Sequence, residues 1–108
     1  MANNYKFKGV ALASASETSL ITAASNETII VKSIRVTNNT GNTPTISLNV
    51  LDSSNSVEAT ILKTQSLTAN SSVEILTVPL ILESSDQLKA TVSSSDSVHI
   101  GISYLNIT

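Results

Sequence analysis

The sequence holds a single histidine. His99 lies three residues from Asp96 in a serine-rich stretch, and serine, histidine and aspartate are the parts of a nucleophilic hydrolase. Their framework is missing, because no Gly-x-Ser-x-Gly turn is present to lift a serine out of a strand. His99 also alternates with Val98 and Ile100, which puts its ring on the outer face of any strand it occupies. Metal chemistry is no better served. Asp52 and Asn55 offer oxygen ligands in one loop, without the repeated carboxylates and distal glutamate of a calcium loop. Glu83 and Asp86 could share a cation across a turn, but acidic side chains at such places usually cap backbone amides. One histidine and no cysteine leave zinc without a ligand set. These residues predict no catalytic centre, no metal and no cofactor, hence a protein that is not an enzyme.

Carbohydrate recognition is the alternative that the residue types leave open. Sugar sites stack rings on exposed aromatics, and this chain has no Trp, one Phe and two Tyr. Tyr5 is the available platform, with Asn and Ser loops for polar contacts, because Tyr104 falls on the expected interior face. Nucleic acid is not an expected partner. The net charge is -2, and the six basic residues are scattered, so they form no stripe along which phosphates could be neutralised. Tyr5-Lys6-Phe7-Lys8 is the one basic spot with aromatic neighbours, and it reads as an outer strand with solvated lysines. Asn-x-Ser/Thr sequons begin at Asn26, Asn38, Asn70 and Asn106; in a chain nearly a third Ser and Thr they are expected by chance.

The elements that carry these residues follow from a two-residue period. Ile46, Leu48 and Val50 alternate with Thr45, Ser47 and Asn49, as in a half-buried strand. Ile30, Ile34 and Val36 predict one face of a strand over residues 28–38, with Ile29 and Val31 opposite. Val57, Ala59 and Ile61 repeat the pattern, as do Val73 with Ile75, and Leu88 with Ala90 and Val92. Val98, Ile100, Ile102 and Tyr104 share a face of the last strand. Near the N-terminus, two short strands over residues 5–13 and 19–24, joined by a polar turn, are preferred to a helix. Turn residues recur about every ten positions, and Asn38-Asn39-Thr40-Gly41-Asn42 is the clearest hairpin loop. Seven or eight such strands predict an all-β fold, a jelly-roll-like antiparallel β-sandwich spanning residues 1–108 as one domain. Residues 1–7 are expected to form an extended N-terminal arm. The apolar stretch after Lys8 is too short and diluted for a signal peptide, and no run approaches the roughly 20 apolar residues that cross a bilayer. Synthesis in a host cytoplasm, with no membrane partner, is therefore expected.

A broader likeness covers residues 5–108. Thr28-Ile29-Ile30-Val31-Lys32-Ser33-Ile34-Arg35-Val36-Thr37-Asn38, followed by a glycine-containing turn and residues 46–53, resembles a pattern in small β-sandwich virion proteins of tailed bacteriophages. Leu67-Thr68-Ala69-Asn70-Ser71-Ser72-Val73-Glu74-Ile75-Leu76 continues it, and so do residues 79–90 and Ile102-Ser103-Tyr104-Leu105-Asn106-Ile107-Thr108. The chain departs from the pattern at Ser84-Ser85, where such proteins often carry Ala-Gly or a similar turn. The resemblance implies a multi-copy structural subunit of a virion: capsid decoration or cement, or a tail or neck accessory. Its implied partners are other virion proteins and copies of itself.

Physical chemistry leads to the same expectation separately. Short Ser, Thr and Asn side chains lose little rotamer entropy when a neighbour covers them, and sandwich edges can join a neighbouring sheet. Tyr5 and Phe7 are the expected interface anchors, because aromatic side chains concentrate at the centres of protein contacts.

Overall fold

Side-chain alternation organises the chain into strands throughout. The computed structural model describes residues 3–12, 15–76, 78–93 and 97–108. Ala13, Ser14, Asp96 and the first two residues of the expected arm lie outside them. Among the described residues nine strands run in the order β1 (Asn3–Leu12), β2 (Thr18–Thr22), β3 (Thr28–Asn38), β4 (Thr45–Asp52), β5 (Val57–Ser66), β6 (Ser72–Glu74), β7 (Leu80–Leu82), β8 (Gln87–Val92) and β9 (Val98–Ile107). One sheet has the order β1-β9-β3-β6, with β7 also paired to β3, and the other has the order β2-β8-β4-β5. Every pairing is antiparallel.

β6 and β7 are two halves of one interrupted strand. β6 pairs with residues 35–37 of β3, and β7 with residues 29–31 of the same strand. After β6, Ile75 N still donates to the Ile34 carbonyl, and Pro79, just before β7, has no amide hydrogen to give a partner. Taking the halves together, the sheets read 1-8-3-6 and 2-7-4-5 in chain order, the double Greek key of a jelly roll. The expected fold class is therefore found.

The interior is aliphatic. Leu20, Ile29, Val31, Ile34, Val36, Ile46, Leu48, Leu82, Leu88, Val92, Ile100 and Ile102 are essentially sealed from solvent. β4, β8 and β9 supply them at the expected alternate positions. β3 does not keep the expected parity. Its ladder with β9 shifts register between Val31 and Ser33, so Lys32 is an extra residue and the strand's faces exchange there. Ile29 and Val31 thus face the interior together with Ile34 and Val36, while Ile30 turns outward, half-buried. β5 also departs from expectation. It is the edge of its sheet, with two register shifts against β4, and Val57, Ala59 and Ile61 are exposed rather than half-buried. Only Leu62 of this strand packs against the core.

Most connections are arches between the sheets. The Asn38–Asn42 turn, expected as a hairpin, joins β3 of one sheet to β4 of the other. Asn38 is buried and holds the arch from within: its Oδ1 accepts from Thr40 N and Oγ1, and its Nδ2 donates to the Asn42 carbonyl. At the opposite end Asp86 does comparable work. Its carboxylate, 5% exposed, accepts from Glu83 N at 3.0 Å and Ser53 N at 2.9 Å, tying the turn after β7 to the turn after β4. The residues expected as the arm are, from position 3 onward, the outer half of β1. Asn3 through Leu12 pair with Ile107 through Val98, because an extended segment beside β9 satisfies its amides within the chain.

Two outcomes follow. Ile34→Asp or Ile100→Asp places an uncompensated charge where no solvent reaches, costing more than about 4 kcal/mol, a large part of a small domain's stability. Cooperative thermal unfolding should disappear, and a wild-type melting curve would contradict the packing. Ser85 sits at φ 70°, a left-handed conformation that glycine adopts freely. Ser85→Gly should therefore raise stability by about 0.5–1 kcal/mol in urea unfolding; a loss would show that the Ser85 side chain holds the turn.

Candidate interaction surfaces

The two outer faces of the sandwich differ in chemistry. On the β2-β8-β4-β5 side, Lys89 Nζ lies 3.2 Å from Glu58 and 3.7 Å from Glu17, and Asn49 Nδ2 donates to both carboxylates. The hydrogen bond from Lys89, more than any other influence, holds the Glu58 carboxyl below its ordinary value. Lys89, Glu58 and Glu17 thus answer one another's charge, and this part of the surface is suited to water.

The opposite face carries an apolar row. Register places Tyr5 beside Leu105, Leu105 beside Ile30, and Ile30 beside Ile81, so four strands each present one large apolar side chain at the same level. Tyr5 is 78% exposed and Ile81 59% exposed. A separate groove of about 240 Å³ is lined by Ile61, Leu62, Ile75, Leu76, Val78, Pro79 and Leu80, where Val78 is also exposed. Contiguous apolar surface of this kind marks a contact with another macromolecule.

Of the expected anchors, Tyr5 lies in this row and Phe7 two residues along the same strand and face, 70% exposed. Ile81, Leu105, Ile30 and Val78 are additional. Ile81 had a signal in the sequence, since Leu80-Ile81-Leu82 cannot direct all three side chains inward from a strand of period two. Leu105 and Ile30 depend on which strands lie side by side, and Val78 lies between strands.

The remaining candidates are spread apart. His99 is exposed, as expected, with Nε2 3.5 Å from Ser97 Oγ, and Asp96 lies outside the described residues. In the loop after β4, Asn55 directs its amide nitrogen at Asp52, so the loop closes on itself. That bond leads the contacts holding the Asp52 carboxyl below the usual range. Asp86 caps backbone amides, as its position in a turn suggested. Among the described residues no group of three or more His, Cys, Asp or Glu comes together.

The rim between β1 and β2 is polar. The β1 residues that alternate with Tyr5 and Phe7 are Lys6 and Lys8, exposed along an edge strand, where charge discourages pairing with a foreign strand. Beside them Asn106 Nδ2 donates to Glu27 Oε2 at 2.8 Å, and Ala24 N donates to Oε1 at 2.8 Å.

No family model matches the chain, and no curated protein is significantly similar to it. Solved structures do share its architecture. A chain in the structure of infectious bursal disease virus, Gx strain, superposes with TM-score 0.61 at 10% identity, covering 96% of this chain and 32% of that one. A subunit of Bacillus endospore appendages, which form disulfide-linked pili, superposes with TM-score 0.55 at 12% identity over 96% of this chain and 85% of that one. The Clostridium thermocellum xylanase 10B CBM22-1–GH10 modules, complexed with xylohexaose, give TM-score 0.50 at 17% identity over 98% and 25%. The present chain thus spans about a third of the viral chain and a quarter of the xylanase chain. At such identities the likeness establishes a shared fold. The disulfide linkage of the appendages has no counterpart here, because this chain has no cysteine.

The Glu27 carboxyl is held below its ordinary value, first by the Asn106 amide, then by the Ala24 amide, with a smaller attraction from Lys6. A depressed folded-state pKa stabilises the fold fully above the ordinary glutamate value, and that contribution is lost as pH falls through the depressed one. Glu27→Gln should accordingly flatten the acid limb of a plot of urea midpoint against pH. An unchanged acid limb would mean that these bonds do not persist in solution.

Proposed function

We propose that the chain is a non-enzymatic structural subunit of a tailed-phage virion. It acts in many copies, as capsid decoration or cement or as a tail or neck accessory, and docks other virion proteins. The observation that carries this reading is the asymmetry of the two outer faces. One pairs Lys89 with Glu58 and Glu17, and the other sets Tyr5, Leu105, Ile30 and Ile81 in line across four strands. The sequence pattern shared with small phage virion proteins supports the phage assignment, and the fold it has in common with a viral chain is consistent with it.

Docking on this face uses rigid side chains standing on a sheet whose backbone is already fixed, so little further ordering opposes association. Tyr5 and Ile81 act as anchors at the two ends of the row, with half-buried Leu105 and Ile30 between them. Burial of such anchors typically contributes about 2 kcal/mol each.

The test is composition of purified particles. The wild-type chain should be present at a stoichiometry of tens to hundreds of copies, and Tyr5→Ala combined with Ile81→Ser should lower occupancy at least about tenfold while leaving the melting transition intact. Full occupancy by the double variant, or absence of the wild-type chain from particles, would refute the reading.

A further inference from the structure

The same outer face holds a second feature beyond the apolar row. Gly9 of β1 and Gly101 of β9 are direct partners across the ladder. Neither has a positive φ, so backbone conformation does not require glycine at either position. Glycine within a strand is costly and marks places where something approaches the backbone closely. Part of the reason is visible: a Cβ at Gly101 would stand 3.0 Å from Phe7 Cε1 and 3.1 Å from Cζ. The far end of the Phe7 ring reaches over the glycine pair, yet Phe7 stays 70% exposed.

Beside the ring the missing side chains leave an open depression of about 470 Å³, bounded by Phe7, Ala11, Arg35, Thr37 and His99. Its size matches sites for small ligands rather than for one protruding side chain. Arg35 lies directly across from Gly101 on one side and from Glu74 on the other. The Glu74 carboxylate is directed at Ser33 Oγ and at Ile34 N, the latter at 2.8 Å. Among the described residues Arg35 has no ion pair, the only salt bridges being those of Lys89. An exposed aromatic ring, a floor without side chains, an unpaired guanidinium, and the hydroxyl and imidazole of Thr37 and His99 thus surround one hollow.

We propose that this depression binds an acidic sugar, a pyranose bearing a carboxylate. The apolar face of the sugar ring rests on Phe7 and the glycine floor, where it meets the aromatic face without a side chain intervening. The carboxylate takes the two-pronged hydrogen bonds of the Arg35 guanidinium, and Thr37 and His99 meet ring hydroxyls. The proposal does not rest on the virion reading. It concerns different residues apart from the neighbourhood of Tyr5, and the two readings fail in different measurements.

The experiment is an NMR titration of the full chain with trigalacturonic acid, its methyl ester and a glutamate-rich peptide as probes. The free acid should shift the amides of Gly9, Ala11 and Gly101. The ester, which keeps the ring but loses the charge, should bind at least about tenfold more weakly. Phe7→Ala and Arg35→Gln should each lower affinity by a similar factor with unchanged circular dichroism. Gly101→Val fills the floor and should abolish the shifts; should that variant fail to fold, the Phe7 and Arg35 variants, both on exposed positions, decide alone. Equal affinity for acid and ester, no binding of the acid, or binding of the peptide with the same dependence on Phe7 and Arg35 would overturn the proposal.

Discussion

The structure depends on keeping aliphatic side chains on the inner surfaces of two sheets. β3 shows how strict the requirement is. It crosses the middle of its sheet with β9 on one side and β6 and β7 on the other, and it contributes Ile29, Val31, Ile34 and Val36 to the interior. These positions do not share one parity. Inserting Lys32 as a bulge exchanges the strand's faces midway, and without it one pair of these residues would face water. The exchange also fixes the outer face, because it is what turns Ile30 outward between Leu105 and Ile81.

The strands that were plain in the sequence are those with uninterrupted alternation and a neighbour on both sides or a full-length partner. Val98, Ile100 and Ile102, or Leu88, Ala90 and Val92, leave no ambiguity about which side is buried. The features that were not plain all involve something beyond local period. A bulge reads as continued alternation until the partner strand is known. Val57, Ala59 and Ile61 have an interior pattern, but β5 lies at the sheet edge, where the opposing layer does not reach them. The turn at Asn38–Asn42 has hairpin residues, yet whether a turn joins partners or layers depends on where the next strand lands. The segment expected as an arm is extended and exposed, as read, but β9 claims its amides.

The candidate sites divide along the same line. Exposure of Tyr5 and Phe7 could be read from an N-terminal strand rich in lysine, and His99 from its alternation with Val98 and Ile100. The juxtaposition of Gly9 with Gly101, and of both with Arg35, could not. Those residues are brought together by a register between strands from opposite ends of the chain, information that no short window of sequence contains.

The placement of β9 has a consequence for synthesis. It is the latest made of the strands in its sheet, and it lies between β1 and β3, so those two have no common neighbour until it emerges from the ribosome. Translation must pass Ile107 before the first strand can find its full set of partners. Nascent chains and prematurely stopped products therefore hold unpaired strands, whereas a chain that has been read through closes in one cooperative event. This geometry acts as proofreading: a copy cut short of β9 lacks the ladder that brings β1 beside β3, and with it the outer face of that sheet.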